Sequence, residues 1–134
     1  MHDRPSHAPL SPSARAFGNA IHNASPATPA DAGLMAALCF HAVAEGHSCL
    51  DLAQLPVIFP RHSRLAALSL ESLFNAHPLV AVVKGRNDAL SPVLLVIFQQ
   101  RLYLKKYWDL ECRLIQHLDS RANDTLIPCA GTAG

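Results

Sequence analysis

No excess of charge of either sign marks this chain. Lys and Arg together number 11 against 10 Asp and Glu, a net charge of +1, and the pI is about 7.8. That falls short of the basic footprint of a dedicated nucleic-acid binder. Eight histidines add positive charge only below about pH 6.5. The sequence also lacks any C-x-x-C pair among Cys39, Cys49, Cys112 and Cys129. The opening residues carry Pro5, Pro9 and Pro12 where a secretory signal would need an apolar run. The expectation is therefore an intracellular, cytoplasmic protein with reduced thiols. No long hydrophobic run is present. Leu79 to Phe98 is cut by Lys84, Arg86, Asp88 and Pro92, and the clean stretch Val93 to Phe98 is far short of the ~20 residues that span a bilayer. Finally, the phosphate-loop pattern G-x-x-x-x-G-K-[ST] does not occur. No membrane segment, and no ATP hydrolysis by these residues alone, is expected.

What is present suits one folded domain. The chain has 134 residues, half of them hydrophobic, enough to bury a core without disulfides or metals. Residues 1–27 read as a disordered, proline-bearing tail, within which Ala14 to Ile21 could form a transient or partner-docked helix. A folded unit is expected over 28–121 and a loose tail over 122–134. A first helix should start at Thr28-Pro29-Ala30-Asp31, with Thr28 as N-cap and Pro29 at N1. Met35, Leu38, Cys39 and Ala42 supply its apolar spacing, and Gly46 suits a left-handed residue after its end. His47 to Leu52 reads as a strand, and Pro56 and Pro60 as punctuation of a loop. A second helix should run from Ser63 or Ser69 to about Asn75, stopped by Pro78. Strands follow at Leu79–Val83, Val93–Phe98 and Arg101–Leu104. A polar loop spans 84–91, and Gln99-Gln100 forms a chemically weak hairpin turn. The last helix, Lys105 to about Ser120, carries the stripe Tyr107, Leu110, Leu114, Leu118, widened by Trp108 and Ile115. The expected fold is a small α+β domain of about three helices packed on a short, mainly antiparallel sheet.

Three constellations bear on chemistry. His41, His47 and Cys49 lie close in sequence, but no second ligand pair completes a metal site. Cys49 or Cys112 with His47 or His117 would make a nucleophile–base pair, yet no oxyanion signature accompanies them. Arg101, Lys105, Lys106 and Arg113 interleave with Tyr103, Tyr107 and Trp108. That is the composition of a surface for single-stranded nucleic acid or for a protein partner. Against it, the aromatics fall at core spacing and Asp109, Glu111 and Asp119 offset the cations. The expected structural anchors are Gly46, Trp108 and Leu114.

Three segments together resemble a known family. They are Thr28-Pro29-Ala30-Asp31 through Glu45-Gly46-His47-Ser48-Cys49-Leu50-Asp51-Leu52, then Leu70-Glu71-Ser72-Leu73 through His77-Pro78-Leu79-Val80, then Arg101-Leu102-Tyr103-Leu104-Lys105-Lys106-Tyr107-Trp108 with Glu111. In this order the chain resembles the amino-terminal domain of the exodeoxyribonuclease V alpha subunit (RecD) family. The family usually has a Gly- or Asp-containing turn before R-L-Y-L, and Gln99-Gln100 stands there instead. The resemblance implies a non-catalytic domain that docks the subunit onto its beta and gamma partners. It implies contact with DNA through the holoenzyme and a role in recombinational repair of double-strand breaks. ATP and magnesium belong to the family's motor domain; none of their ligands, and no cofactor, maps onto this chain.

Overall fold

A computed structural model of the chain describes residues 9–85 and 92–122, the side chains of 119–122 excepted. Within them α1 (Pro12–Ala24), α2 (Ala30–Ala44), two one-turn helices α3 (Leu55–Ile58) and α4 (Leu70–Leu73), and α5 (Lys105–Ala122) surround a four-stranded sheet. Its strands are β1 (Leu50–Asp51), β2 (Val80–Val82), β3 (Leu95–Phe98) and β4 (Arg101–Leu104), in the order β1-β4-β3-β2. The sheet is mixed and mostly antiparallel: β4 pairs antiparallel with β1 and β3, and β2 runs parallel to β3.

Strand alternation explains the layering. Successive side chains leave a strand on opposite faces, and β3, Leu-Val-Ile-Phe, is buried at all four positions. Leu95 and Ile97 join Leu50 and Leu102 in a large core under α1 and α2. Val96 and Phe98 point the other way, with Tyr103, toward Trp108 and Cys112 of α5. Strand β3 is thus covered on both faces, which is why it has no polar residue.

The amino-terminal region departs from the expected disordered tail. Ser11 caps α1 by accepting from the Ala14 N–H at 3.1 Å, and Pro12 occupies the first turn, where no donor is needed. Ala14, Gly18 and Ile21 of α1 are buried. The apolar residues in 10–21 are too sparse to order this segment alone; burial against α2 orders it. The two helices cross at a pair of glycines. A Cβ on Gly18 would lie 2.5 Å from the Gly33 carbonyl oxygen, and one on Gly33 would lie 2.9 Å from that of Gly18.

Other expectations shift in detail. Helix α2 begins at Ala30, not at Thr28, and has no side-chain cap. The Thr28 hydroxyl instead donates to the Ser25 carbonyl at 2.7 Å, closing the turn that joins α1 to α2. After Glu45, Gly46 takes φ +103°. The first strand shrinks to Leu50–Asp51. The proline-punctuated loop is helical: a 3-10 turn at Leu52–Gln54, then α3, then a 3-10 segment at Pro60–Ala67. Pro56 and Pro60 sit in first turns, where proline is compatible with a helix. The expected second helix survives only as α4, capped by Ser69 through the Ser72 N–H at 3.3 Å. Arg64 clamps the 3-10 segment to α2 through a two-pronged pair with Asp31 at 3.1 and 3.2 Å. Of the loose tail expected over 122–134, Ala122 ends α5 and the rest lies outside the described residues, as do residues 1–8 and 86–91.

Candidate functional site

The basic and aromatic residues singled out in the sequence lie on β4 and the start of α5. Register places Arg101 opposite Asp51 of β1. Its Nε sits 3.3 Å from the Asp51 carboxylate, and that hydrogen bond raises the already high pKa of Arg101 further. Asp51 also accepts from the Ala53 N–H at 2.9 Å, so one carboxylate both opens the 3-10 turn and holds the arginine. Lys105 pairs with Asp109 one turn on, at 2.7 Å. Arg113 Nε donates to the Asp109 backbone carbonyl at 3.4 Å. Lys106 lies 5.6 Å from the centre of the Tyr107 ring, at cation–π range.

The aromatics divide differently. Tyr103 and Trp108 are 2% and 0% exposed. They meet edge to face with centroids 5.1 Å apart, and Phe98 adds a second ring 5.3 Å from Trp108. Base stacking needs an open ring face, so neither ring can serve as a platform. Tyr107, half-buried, is the one aromatic of the segment with surface left. Lys105 and Arg113 both bond Asp109, Lys106 lies by Tyr107, and Arg101 is held apart at Asp51, so the structure does not assemble these cations with the open stacking faces that a single-strand groove requires.

The thiols are also placed against chemistry. Cys39 is fully buried, and its Sγ donates to the Leu102 carbonyl at 3.2 Å, tying α2 to β4. Burial drives its pKa far above the ordinary range. Burial likewise pushes the Cys49 thiol up to about 11. A thiol held protonated at neutral pH is a poor nucleophile. Among the described residues no group of three or more His, Cys, Asp or Glu side chains is arranged to hold a metal ion. The sequence holds no phosphate-loop pattern that would cradle ATP and magnesium.

Helix α5 corrects one sequence expectation. Trp108 is an anchor, but Leu114 is 56% exposed, and Leu110 and Leu118 are each 54% exposed. Cys112, 1% exposed, takes the place beside Trp108. The helix has two apolar faces, and the periodicity of Tyr107, Leu110, Leu114 and Leu118 marks the outer one. Residue spacing reports that such faces exist and is silent on which meets the sheet.

Four residues that the sequence reading gave no positioning role have one in the structure. His77, 4% exposed, bridges α1 to the loop before β2. Gln100, at the tip of the β3–β4 hairpin, accepts from the Leu70 N–H and donates to Glu71, each at 3.3 Å. Gly18 and Gly33 form the floor of an open notch between α1 and α2, about 380 Å³, edged by Leu10, Arg15, His22 and Leu34. Only the unusual Gln-Gln turn gave a sequence signal for any of these.

No curated protein sequence matches the chain. Residues 6–103 match the family model described as RecBCD enzyme subunit RecD, N-terminal domain. The matched span takes in α1, α2 and nearly the whole sheet, the elements that build the larger core. The chain belongs to the RecD amino-terminal domain family.

Proposed function

We propose that this chain acts as a non-catalytic docking domain of a RecBCD-type helicase–nuclease, engaging the beta and gamma subunits of exodeoxyribonuclease V in the repair of double-strand breaks. The observation that carries this reading is the family match over residues 6–103, which spans the folded scaffold. The chemistry of the described residues is in keeping with it. The cations are largely committed to Asp51 and Asp109, and the thiols of Cys39 and Cys49 are held protonated. DNA is reached through the assembled enzyme in the cytoplasm, and ATP and magnesium act at the motor domain of the family.

The test is co-expression of this chain with beta and gamma subunits, followed by affinity capture in rising salt. A titration of the purified chain with single-stranded and duplex DNA runs beside it. Salt-resistant capture with no DNA binding by the chain alone is the expected result. DNA binding that weakens steeply with salt, without capture, would transfer the function to the exposed cations Lys106 and Arg113.

A further inference from the structure

We infer that the notch between α1 and α2 seats an acidic residue, and the apolar residue beside it, carried on a segment of a partner subunit. The inference rests on the docking reading above and names the part of the surface that docks.

The floor of the notch is backbone. Gly18 and Gly33 approach so closely that neither has room for a Cβ. Above them about 380 Å³ stays open, flanked by Leu10 and Leu34. That volume is at the small end for a ligand pocket, and pockets for free small molecules enclose most of the ligand. This notch is instead open to solvent, with Arg15 and Asn19 exposed at its rim. An open concavity of this size suits a side chain presented from another protein surface, the way anchors fill pockets at interfaces.

Charge then sets the chemistry of the occupant. Arg15, Asn19 and His22 line the notch. They follow one another at four and three residues, so they form one row along α1. Among the described residues none of the three has a side-chain hydrogen bond or ion pair. The His22 Nδ1 is shut off from solvent and unpartnered, so Nε2 is the ring nitrogen left to meet a ligand. No Asp or Glu lines the notch. A concave surface of one sign focuses its field outward. The guanidinium fork matches a carboxylate, and the amide and imidazole can complete the carboxylate's hydrogen bonds.

That carboxylate must come from another protein. Asp31, Asp51 and Asp109 are held by Arg64, Arg101 and Lys105. Glu45 pairs with His41, and Glu71 accepts from Gln100. Glu111 also has its interaction within the chain. Every described carboxylate side chain is thus engaged at home, and a second copy of the chain would bring no free one to Arg15. The family match covers both helices of the notch, which puts it in the scaffold on which the docking reading stands.

Binding of the full 134-residue chain to a co-purified beta–gamma pair, titrated in low and high salt, tests this. Arg15→Glu should weaken binding by at least about tenfold in low salt, and by less as salt rises. Asn19→Trp, which blocks the mouth from an exposed position, should weaken it in both. Arg61→Glu reverses an exposed charge that does not line the notch and should change binding far less. All three variants should keep the circular dichroism and melting temperature of the parent chain, since each position is exposed. A photo-crosslinking residue at position 19 should capture a beta or gamma peptide that contains Asp or Glu. Binding indifferent to Arg15→Glu and Asn19→Trp overturns the inference and leaves the docking reading standing. Equal losses for Arg15→Glu and Arg61→Glu overturn it as well, in favour of general charge attraction. A crosslinked peptide without Asp or Glu overturns the acidic occupant, and a crosslink back to the same chain overturns the partner. No binding by the parent chain removes the docking reading and this inference together.

Discussion

The Nε2 of His77 lies 2.7 Å from the Ile21 backbone carbonyl, fifty-six residues earlier in the chain. A carbonyl only accepts, so Nε2 carries the proton and donates. The other ring nitrogen, Nδ1, then accepts from the Leu79 N–H at 3.1 Å. One neutral imidazole thus ties the last turn of α1 to the turn that starts β2. The ring also lies edge to face against Phe74, with centroids 6.2 Å apart.

Replacing His77 by Phe keeps an aromatic ring but leaves both partners without their bond. A buried group left unsatisfied costs about 1–3 kcal/mol. The expected outcome is a lower melting temperature, with amide exchange accelerated first in α1. Exchange that rises uniformly over the domain would show that His77 does not specifically hold this helix.

Two glycine substitutions should differ in kind. Gly18→Ala drives a Cβ to 2.5 Å from the Gly33 carbonyl oxygen, so α1 and α2 must separate, at a cost of about 1–3 kcal/mol. Gly46→Ala meets no atom within 4 Å. It suffers instead from φ +103°, where an L side chain costs about 1 kcal/mol or more. Both should lower stability in chemical denaturation, and only Gly18→Ala should shift resonances of residues in the α1–α2 notch.

The hairpin turn offers a paired test. Gln99 and Gln100 adopt φ +53° and +59°, values that a tight turn between twisted strands requires and that glycine or asparagine usually supply. Gln99→Gly relieves the strain and should stabilise the domain by about 0.5–1 kcal/mol. Gln100→Gly relieves similar strain but deletes the bonds to Leu70 and Glu71, so no net gain is expected. Equal gains in a denaturation series would mean that the Gln100 side chain contributes nothing.

Along α5, truncation should separate the two faces. Trp108→Ala empties a fully buried site between Phe98 and Tyr103 and should cost about 3–5 kcal/mol. Leu114→Ala, at a position 56% exposed, should stay within about 0.5 kcal/mol. A large loss for Leu114 would place it in the core.

The thiol of Cys49, ordinarily ionising near 9, is pushed up to about 11 by burial. Folding therefore favours the protonated form. The contribution of Cys49 to stability should be flat below pH 9 and fall from about 9 toward 11, as the unfolded chain ionises first. Alkylation of Cys49 and Cys39 at pH 7.5 should be slow in the native protein and fast in denaturant. Rapid native-state alkylation of Cys49 would mean that the thiol is open and ionised.

Local grammar carried much of this fold. The spacing in Met35, Leu38, Cys39 and Ala42 specifies α2. A short apolar run with Val96 and Ile97 marks β3, and the R-L-Y-L-K-K-Y-W run marks β4 and its passage into α5. The family resemblance rests on the α2 stretch, on Leu70 to Val80 and on that last run, all legible in the sequence.

Tertiary structure decided what local grammar leaves degenerate. Segment 12–24 becomes a buried helix because Gly18 and Gly33 let it approach α2, a contact across residues that no local pattern links. Gln99-Gln100 turns despite poor turn chemistry because Gln100 is held at α4. Helix α5 has two apolar faces, and only docking of Trp108 and Cys112 on the sheet settles that Leu110, Leu114 and Leu118 look outward. The physical reason is common to all three. Sequence periodicity records how much apolar surface a segment must bury, whereas which surface is buried, and against what, is a property of the segments that meet it.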